Sequence, residues 1–251
     1  MTHSPFAGKF IGCVMNKYFY DLHIHSCLSP CGDDDMTPAN ICGMAKLKGL
    51  DVIAVADHNT ARNLPAAKEA CDAYEMLLLP AMEITTREEV HLLGYFPDVE
   101  TALDFGEMIR GRLPAKKNKP NFFGHQYVMN SDDEVIDEEE ALLIGATDLP
   151  LGEAARQVEA FGGVAVPAHI NRGSNGLLVN LGLMPEEPFY RTVEVWRHLP
   201  CEEKILRGRH VLHSSDAHYL GDIQEREHAL RLQEGSVEEL LRWMRAPKAI
   251  C

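Results

Sequence analysis

The sequence predicts an α/β fold with a mostly parallel sheet, and three observations carry that expectation. Short apolar runs alternate with helix-patterned segments from one end of the chain to the other. Residues 52–56 and 164–168 are apolar without a break, as strands buried on both faces are. The 251 residues suffice for one large domain, and their 45% hydrophobic and 25% charged content is that of a globular chain rather than a disordered or fibrous one.

Residues 19–25 read as the first strand. Thr37 then caps a helix with Pro38 at its first position, running to a stop at Gly49. Residues 52–56 supply a buried strand and residues 62–74 a helix, followed by strands near 77–84 and 90–96. Residues 151–161 look helical and end at Gly162-Gly163, just before the strand at 164–168. Residues 191–196 and 210–215 supply two more strands. From Ser236 a capped amphipathic helix presents Leu240, Leu241 and Trp243 among its apolar positions. No short internal repeat occurs, so residues 1–251 are expected to form a single domain. The rhythm breaks at about residues 98–148, which read as an irregular insertion. There a basic island holds Arg110, Arg112, Lys116, Lys117 and Lys119, and an acidic run follows at 132–140. The acidic run reads as solvated; the basic island reads equally as solvated or as a flap that meets an anionic substrate.

The net charge of −14, from 24 basic and 38 acidic residues, argues against an extended nucleic-acid surface, which needs an excess of Lys and Arg. It leaves room for a short strand gripped locally. No apolar run approaches the ~20 residues of a membrane span, and the opening residues lack the apolar stretch of a secretory signal. The seven Cys are odd in number and scattered, and read as reduced thiols of a cytoplasmic protein.

Twelve His in an acidic chain are the informative feature. In Asp21-Leu22-His23-Ile24-His25, strand alternation puts Asp21, His23 and His25 on one side and Leu22 and Ile24 on the other. Two imidazoles can then face one metal ion, with Asp21 behind them. Asp57-His58-Asn59 follows the strand at 52–56, and Glu83 ends the next apolar run. His91 begins a following strand, His169 follows residues 164–168, and Asp216-Ala217-His218 follows residues 211–215. In parallel β/α barrels function gathers at the C-terminal rim of the strands. Five strand ends carrying imidazole or carboxylate are hard to explain as packing.

This ordered series resembles the PHP (polymerase and histidinol phosphatase) family, over about residues 21–218. Within it, the segment DLHIHSCLSPCGDDDMTP is similar to a stand-alone bacterial branch of metal-dependent phosphoesterases. The resemblance implies a distorted (β/α)7 TIM-like barrel with up to three divalent metal ions, Zn, Mn or Fe, at its C-terminal mouth. It implies a first metal held by His23, His25, Glu83 and Asp216. A second would lie on His58, His218 and an Asp from the loop after His25, and a third on His91 and His169 with Glu83 bridging. The family's Ser-Asp-Gly loop reads Ser29-Pro30-Cys31-Gly32-Asp33-Asp34-Asp35 here. Counting back from the helix start selects Asp33, with Asp34 and Cys31 as the alternatives.

The other His residues have blander readings. His3, His198, His210 and His228 match no motif, His213 is core or supporting, and His125 lies on the insertion. Cys27 and Cys31 lack the second pair of a structural zinc site. The Met residues read as core fillers.

Mixed His and carboxylate ligands suit Zn, Mn or Fe alike. Ions clustered ~3.5–4 Å apart can activate water and neutralise an in-line displacement at phosphorus. The chemistry expected is therefore hydrolysis of a phosphomonoester or short nucleotide through a metal-bridging hydroxide. Asp57 most simply orients His58, and Arg172, three residues past His169, is the candidate phosphate partner. No Gly-x-Ser-x-Gly elbow or phosphate-binding Gly-rich loop is present. A metal-dependent amidohydrolase and a non-catalytic metal-binding regulatory module are the alternatives.

Overall fold

The computed structural model describes residues 14–248. His3, Cys13, Cys251 and the opening stretch 1–10 lie outside the described residues. The elements are, in chain order, β1 (Asn16–Ile24), α1 (Pro38–Leu47), β2 (Val52–Val55), α2 (Leu64–Ala73), β3 (Leu77–Leu78), β4 (Ala81–Thr85) and β5 (His91–Tyr95). Then come α3 (Val99–Arg110), α4 (Pro120–Phe123), β6 (Tyr127–Met129), β7 (Val135–Glu138), α5 (Leu151–Ala160), β8 (Val164–Pro167) and α6 (Leu177–Leu181). The last are β9 (Thr192–Glu194), α7 (Glu203–Leu206), β10 (His210–Leu212), β11 (Ala229–Leu232) and α8 (Val237–Arg245). None of these helices is long and apolar enough to cross a membrane.

Strand β2 shows how the apolar runs are used. Val52, Ala54 and Ala56 belong to one buried cluster, and Ile53 and Val55 to another. The first cluster fills the space between the strands; the second lies beneath the helices, with Ile41, Cys42 and Ala45 of α1 and Ala67, Ala70 and Cys71 of α2. A residue that alternates between two apolar layers has no polar face to show, hence the unbroken runs. Helix α1 starts as anticipated, with the Thr37 hydroxyl accepting from Asn40 N and Pro38 at the first position. Helix α8 packs Leu240, Leu241 and Met244 onto the inner cluster. Its C-terminal carbonyls of Met244 and Ala246 meet Thr192 and His210, the first residues of β9 and β10. It therefore closes the end of the molecule opposite the strand C-termini.

Strand directions differ from a mostly parallel sheet. Strands β1–β2, β2–β3 and β9–β10 pair in parallel, but β4–β5, β5–β8 and β1–β11 are antiparallel. The cause is local. Only residues 86–90 join β4 to β5, and a parallel return needs a crossover of about a dozen residues. Pro80 separates β3 from β4 where one strand was expected, since it has no N–H to offer a ladder. Hydrogen bonds link β1, β2, β4, β5, β8, β9 and β10 in succession. Leu79 N, just before β4, donates to Ile53 O of β2, Asn59 N, just after β2, donates to Glu83 O of β4, Ile170 N reaches Glu194 O, and His25 N reaches Ala217 O.

The insertion is more ordered than expected. Its first twelve residues after Asp98 form α3, which buries Ala102, Phe105 and Ile109 in the helix layer. That spacing of three and four is a helical face. The acidic run is not simply solvated. Glu139 pairs with Arg110 and Arg62, Asp137 with Arg62, and Glu140 with Lys117. The two charge runs are each other's counter-charge. The insertion packs against the loop after β1: a side chain at Gly124 would meet Pro30 O at 2.1 Å, and Tyr127 N donates to Cys27 O at 3.0 Å.

Candidate metal centre

Glu83 lies in the middle of β4, two residues before the strand's end, and is fully buried. Five imidazoles surround its carboxylate. His91 Nδ1 lies 2.8 Å from it, His58 Nδ1 3.1 Å, His23 Nε2 and His169 Nε2 3.3 Å, and His25 Nε2 3.4 Å. The rings close a circuit around it. Successive centroids from His23 through His25, His58, His91 and His169 back to His23 are 5.1, 4.6, 5.1, 5.3 and 5.9 Å apart.

Each member reaches the circuit for a local reason. His23 and His25 leave the end of β1, where the register with β2 shifts between Asp21 and Ile24. The irregularity breaks the simple alternation: Leu22 joins the inner cluster and Ile24 the helix layer. His58 is held by a bridge to Glu83. His91 begins its strand rather than ending it, but the antiparallel hairpin pairs it with Thr85, the last residue of β4, and so returns it to the same rim. His169 and Asp216 sit at positive φ, 27° and 52°. Backbone of that kind is costly for residues other than Gly and persists where surroundings hold it. Asp216 Oδ1 lies 3.1 Å from His25 Nε2 and 3.4 Å from His23 Nε2, and the His218 ring stacks on His25 at 4.4 Å.

The donor set fits divalent metal ions. Both Glu83 oxygens and the Nδ1 atoms of His58, His91 and His169 are buried without a hydrogen-bond partner, a costly state for polar atoms unless something else binds them. Among the described residues, three groups each bring their ligand atoms within 4.8 Å of one another: His23, His25 and Asp216; His25, His58 and His218; and His58, Glu83 and His91. His169 adjoins the third through Glu83.

Charges are strongly redistributed. Burial opposes ionisation of Glu83, but the imidazoles, His91 and His23 foremost, hold its carboxyl well below the usual range. Burial also disfavours charge on His25, yet Asp216 and Glu83 lift it to about 9; Glu194, Glu83 and Asp216 likewise raise His23 well above its ordinary value. His58 and His218 move the other way, His218 to about 4, because burial and the charge on His25 act together.

Three carboxylates support the site in ways the sequence did not indicate. Glu194, a lone carboxylate in the apolar strand β9, accepts from His23 Nδ1 at 3.0 Å and from His169 N at 2.9 Å. Asp57 does not orient His58. Its oxygens accept from Ser26 N, Ser26 Oγ and Ser29 Oγ, all within 2.7 Å, and Ser29 Oγ in turn lies 3.0 Å from His25 Nδ1. Asp57 therefore acts on His25 through Ser29. Asp21 does not stand behind the imidazole ring nitrogens; it accepts from Ser215 N and Gln224 N, each at 3.0 Å, and anchors the segment that carries Asp216.

The loop candidates separate. Asp33 Oδ1 accepts from Asp35 N at 3.0 Å, and Asp33 joins none of the ligand groups; Asp34 is exposed. Cys31 lines the same cavity as Asp216 and His218. Burial pushes its thiol up, helped by the charges of Glu83 and Asp216. His125, His198, His210, His213 and His228 stand outside the ligand groups. Cys27, Cys31, Cys42, Cys71 and Cys201 are free thiols. Arg172 donates to Asp216 Oδ2, and its guanidinium lies 4.7 Å over the Trp196 ring. Gly176 lets the loop fold tightly onto the Arg172 backbone, since a Cβ would strike the Arg172 carbonyl at 2.1 Å.

An α/β chain with a buried His–carboxylate cluster on the rim of its strands is thus the class that fold and site define. No family model matches the sequence. A 5′-3′ exoribonuclease of Salmonella typhimurium is 32% identical over 85 residues, 32% of this chain and 28% of that protein. Among solved structures, the lesion-specific endonuclease EndoQ of Pyrococcus furiosus is similar with a TM-score of 0.69 at 18% identity, over 92% of this chain and 56% of that one. An endonuclease Q in complex with a 27-mer duplex substrate bearing an abasic lesion is similar with a TM-score of 0.66 at 18% identity, over 92% of this chain and 57% of that one. A protein from Bifidobacterium adolescentis described as a metal-dependent phosphoesterase is similar with a TM-score of 0.63 at 21% identity, over 90% of this chain and 94% of that one. The chain has the PHP-type fold. That fold is compatible with a nucleic-acid duplex in EndoQ, so net charge alone is a weaker argument against nucleic acid than the sequence suggests.

Proposed function

We propose that this chain is a metal-dependent phosphoesterase acting on a phosphomonoester or short nucleotide, built on a distorted seven-stranded barrel of PHP type. The observation that carries the reading is the convergence of five imidazoles on the doubly orphaned carboxylate of Glu83. Zn, Mn or Fe ions bound there would supply activated water and neutralise charge on phosphoryl oxygens. His23, His25, Asp216 and Glu83 would hold one ion, His25, His58 and His218 a second, and His58, His91, His169 and Glu83 a third.

The remaining residues prepare these ligands. Donation of the His23 Nδ1 proton to Glu194 leaves the Nε2 lone pair facing Glu83 and Asp216. The Ser29 hydroxyl donates to Asp57, so its oxygen accepts from His25 Nδ1 and presents His25 Nε2 in the same way. Arg172, held between Asp216 and Trp196, has donors left for a phosphate oxygen. The amidohydrolase alternative, in the form that uses a carboxylated lysine bridge, is less well supported: among the described residues the cationic groups within 4 Å of Glu83 and Asp216 are imidazoles and Arg172, with no lysine. Phosphate release from a panel of phosphomonoesters and short nucleotides is expected to cease on chelation and return with Mn or Zn. Activity that survives chelation, or turnover of amides alone, would overturn the assignment, and absence of any turnover in metal-loaded protein would leave a binding module.

A further inference from the structure

We infer that the trough beside the metal cluster is a nucleobase-stacking subsite with Trp196 at its centre, so that the phosphate ester offered to the cluster belongs to a nucleotide. The inference deepens the phosphoesterase reading and rests on it for the fate of the phosphate.

The trough has a cavity volume of about 690 Å³ and begins at Asp216 and His218, within the ~300–1,000 Å³ of small-molecule sites. Its walls away from the cluster carry three aromatic rings, Trp196, His198 and Tyr219. These rings do not serve the core. Trp196 belongs to neither main apolar cluster, His198 is exposed, and Tyr219 is 57% exposed. Trp196 and His198 meet edge-on at 5.2 Å. An indole left half-open beside an imidazole and a phenol offers π-faces to a base and little to a sugar phosphate lacking one.

Arg172 joins the two halves of the trough, one side of its guanidinium against Trp196 and one nitrogen on Asp216. A phosphate at the cluster and a base at the indole would share that one side chain as their common neighbour. The other lining cations are already engaged. Lys48 donates to the Gly221 and Ile223 carbonyls and pairs with Glu225 at 3.1 Å, and Arg197 lies 3.7 Å from Glu227. Cationic capacity for one phosphate, rather than for a polyanion, matches recognition of a single nucleotide by stacking. That nucleotide is a free mononucleotide or the unpaired end of a strand.

The chain has two tryptophans, and Trp243 lies on α8 at the opposite end, against His210 at 4.2 Å. Trp243→Phe therefore leaves Trp196 as the sole indole reporter. Titrated with adenosine 5′-monophosphate, this variant is expected to show saturable quenching. Ribose 5-phosphate, which has the phosphate and no base, should bind about 5- to 100-fold more weakly and leave the emission unchanged, the range that one stacked base contributes. Followed by calorimetry, Trp196→Leu should remove the preference for the base, while Trp196→Phe, which keeps an aromatic face for both the base and the Arg172 guanidinium, should keep most of that preference together with wild-type affinity for ribose 5-phosphate. A 5′-phosphorylated tetranucleotide run beside the mononucleotide tells a strand end from a free nucleotide by which binds tighter. Equal affinity for the two monophosphates, or base preference that survives in Trp196→Leu protein with an unchanged melting curve, overturns the subsite. Base-selective quenching without phosphate release would uphold the subsite while the phosphoesterase reading fails; equal release from both monophosphates would do the reverse.

Discussion

Replacing Glu194 by glutamine removes a buried charge one hydrogen bond away from the proposed ligand His23 while keeping an oxygen to accept from it. In the native arrangement the carboxylate lies 3.0 and 3.3 Å from His23 Nδ1 and accepts from His169 N at 2.9 Å. Outer partners of this kind typically change metal affinity 10–100-fold, roughly 1.4–2.7 kcal/mol. Glu194→Gln is expected near the lower figure, because the amide oxygen still fixes the tautomer. Glu194→Ala is expected near the upper one. It also leaves the His169 N–H buried without an acceptor, at about 1–3 kcal/mol of stability, in a residue whose φ of 27° needs outside support. Zinc and manganese affinities from competition with a chromogenic chelator, together with melting curves of metal-free protein, read both effects. Wild-type affinity in both variants would refute the argument that Glu194 prepares His23.

Three further outcomes follow from the same geometry. Glu83→Gln should reduce bound metal by more than one equivalent, read by elemental analysis, since its two oxygens face all five imidazoles; a wild-type metal load would exclude a shared ligand. In metal-free protein at pH 7, His23 and His25 hold protons because Glu194, Glu83 and Asp216 outweigh burial. Metal must displace those protons, so affinity should rise from pH 7 towards about 9, and calorimetry in buffers of different ionisation enthalpy should show net proton release; none at pH 7 would contradict the assigned charges. Arg172→Ala should lower kcat/KM for a phosphomonoester by about one to two decades with metal content unchanged, and Arg172→Lys should restore it only in part; unaltered kinetics would assign Arg172 a purely structural role.

The ligand residues could be anticipated because most of them interrupt or border an apolar run, as His58 and His169 do after residues 52–56 and 164–168, and an imidazole or carboxylate there is conspicuous. Glu194 escaped notice for the opposite reason. It sits within Thr192-Val193-Glu194-Val195, where one polar residue looks like ordinary strand alternation, and its partner His23 is 171 positions away. Asp57 was visible, but its partner was not: adjacency to His58 suggested one contact, while the turn at 26–29 brings two serine hydroxyls to it instead. The antiparallel course of β5 lies in the shortness of the 86–90 connection, a cue that an alternating strand–helix rhythm overrides. Helix α3 carries a plain apolar face, and the neighbouring charge runs masked it.

The site joins β1 to the segment after β10, and His25 meets Asp216 across 191 positions. At a synthesis rate of roughly 5–20 residues per second, about 10–40 seconds separate the emergence of the two from the ribosome. Throughout that interval the histidine pair lacks the aspartate, and β1 lacks its β11 neighbour. Assembly of the centre is accordingly a closing event of biogenesis, and contacts of such long range make for slow folding. A nascent chain stalled before Asp216 would display an unpaired strand edge and an incomplete set of ligands, the state in which quality-control machinery would meet it.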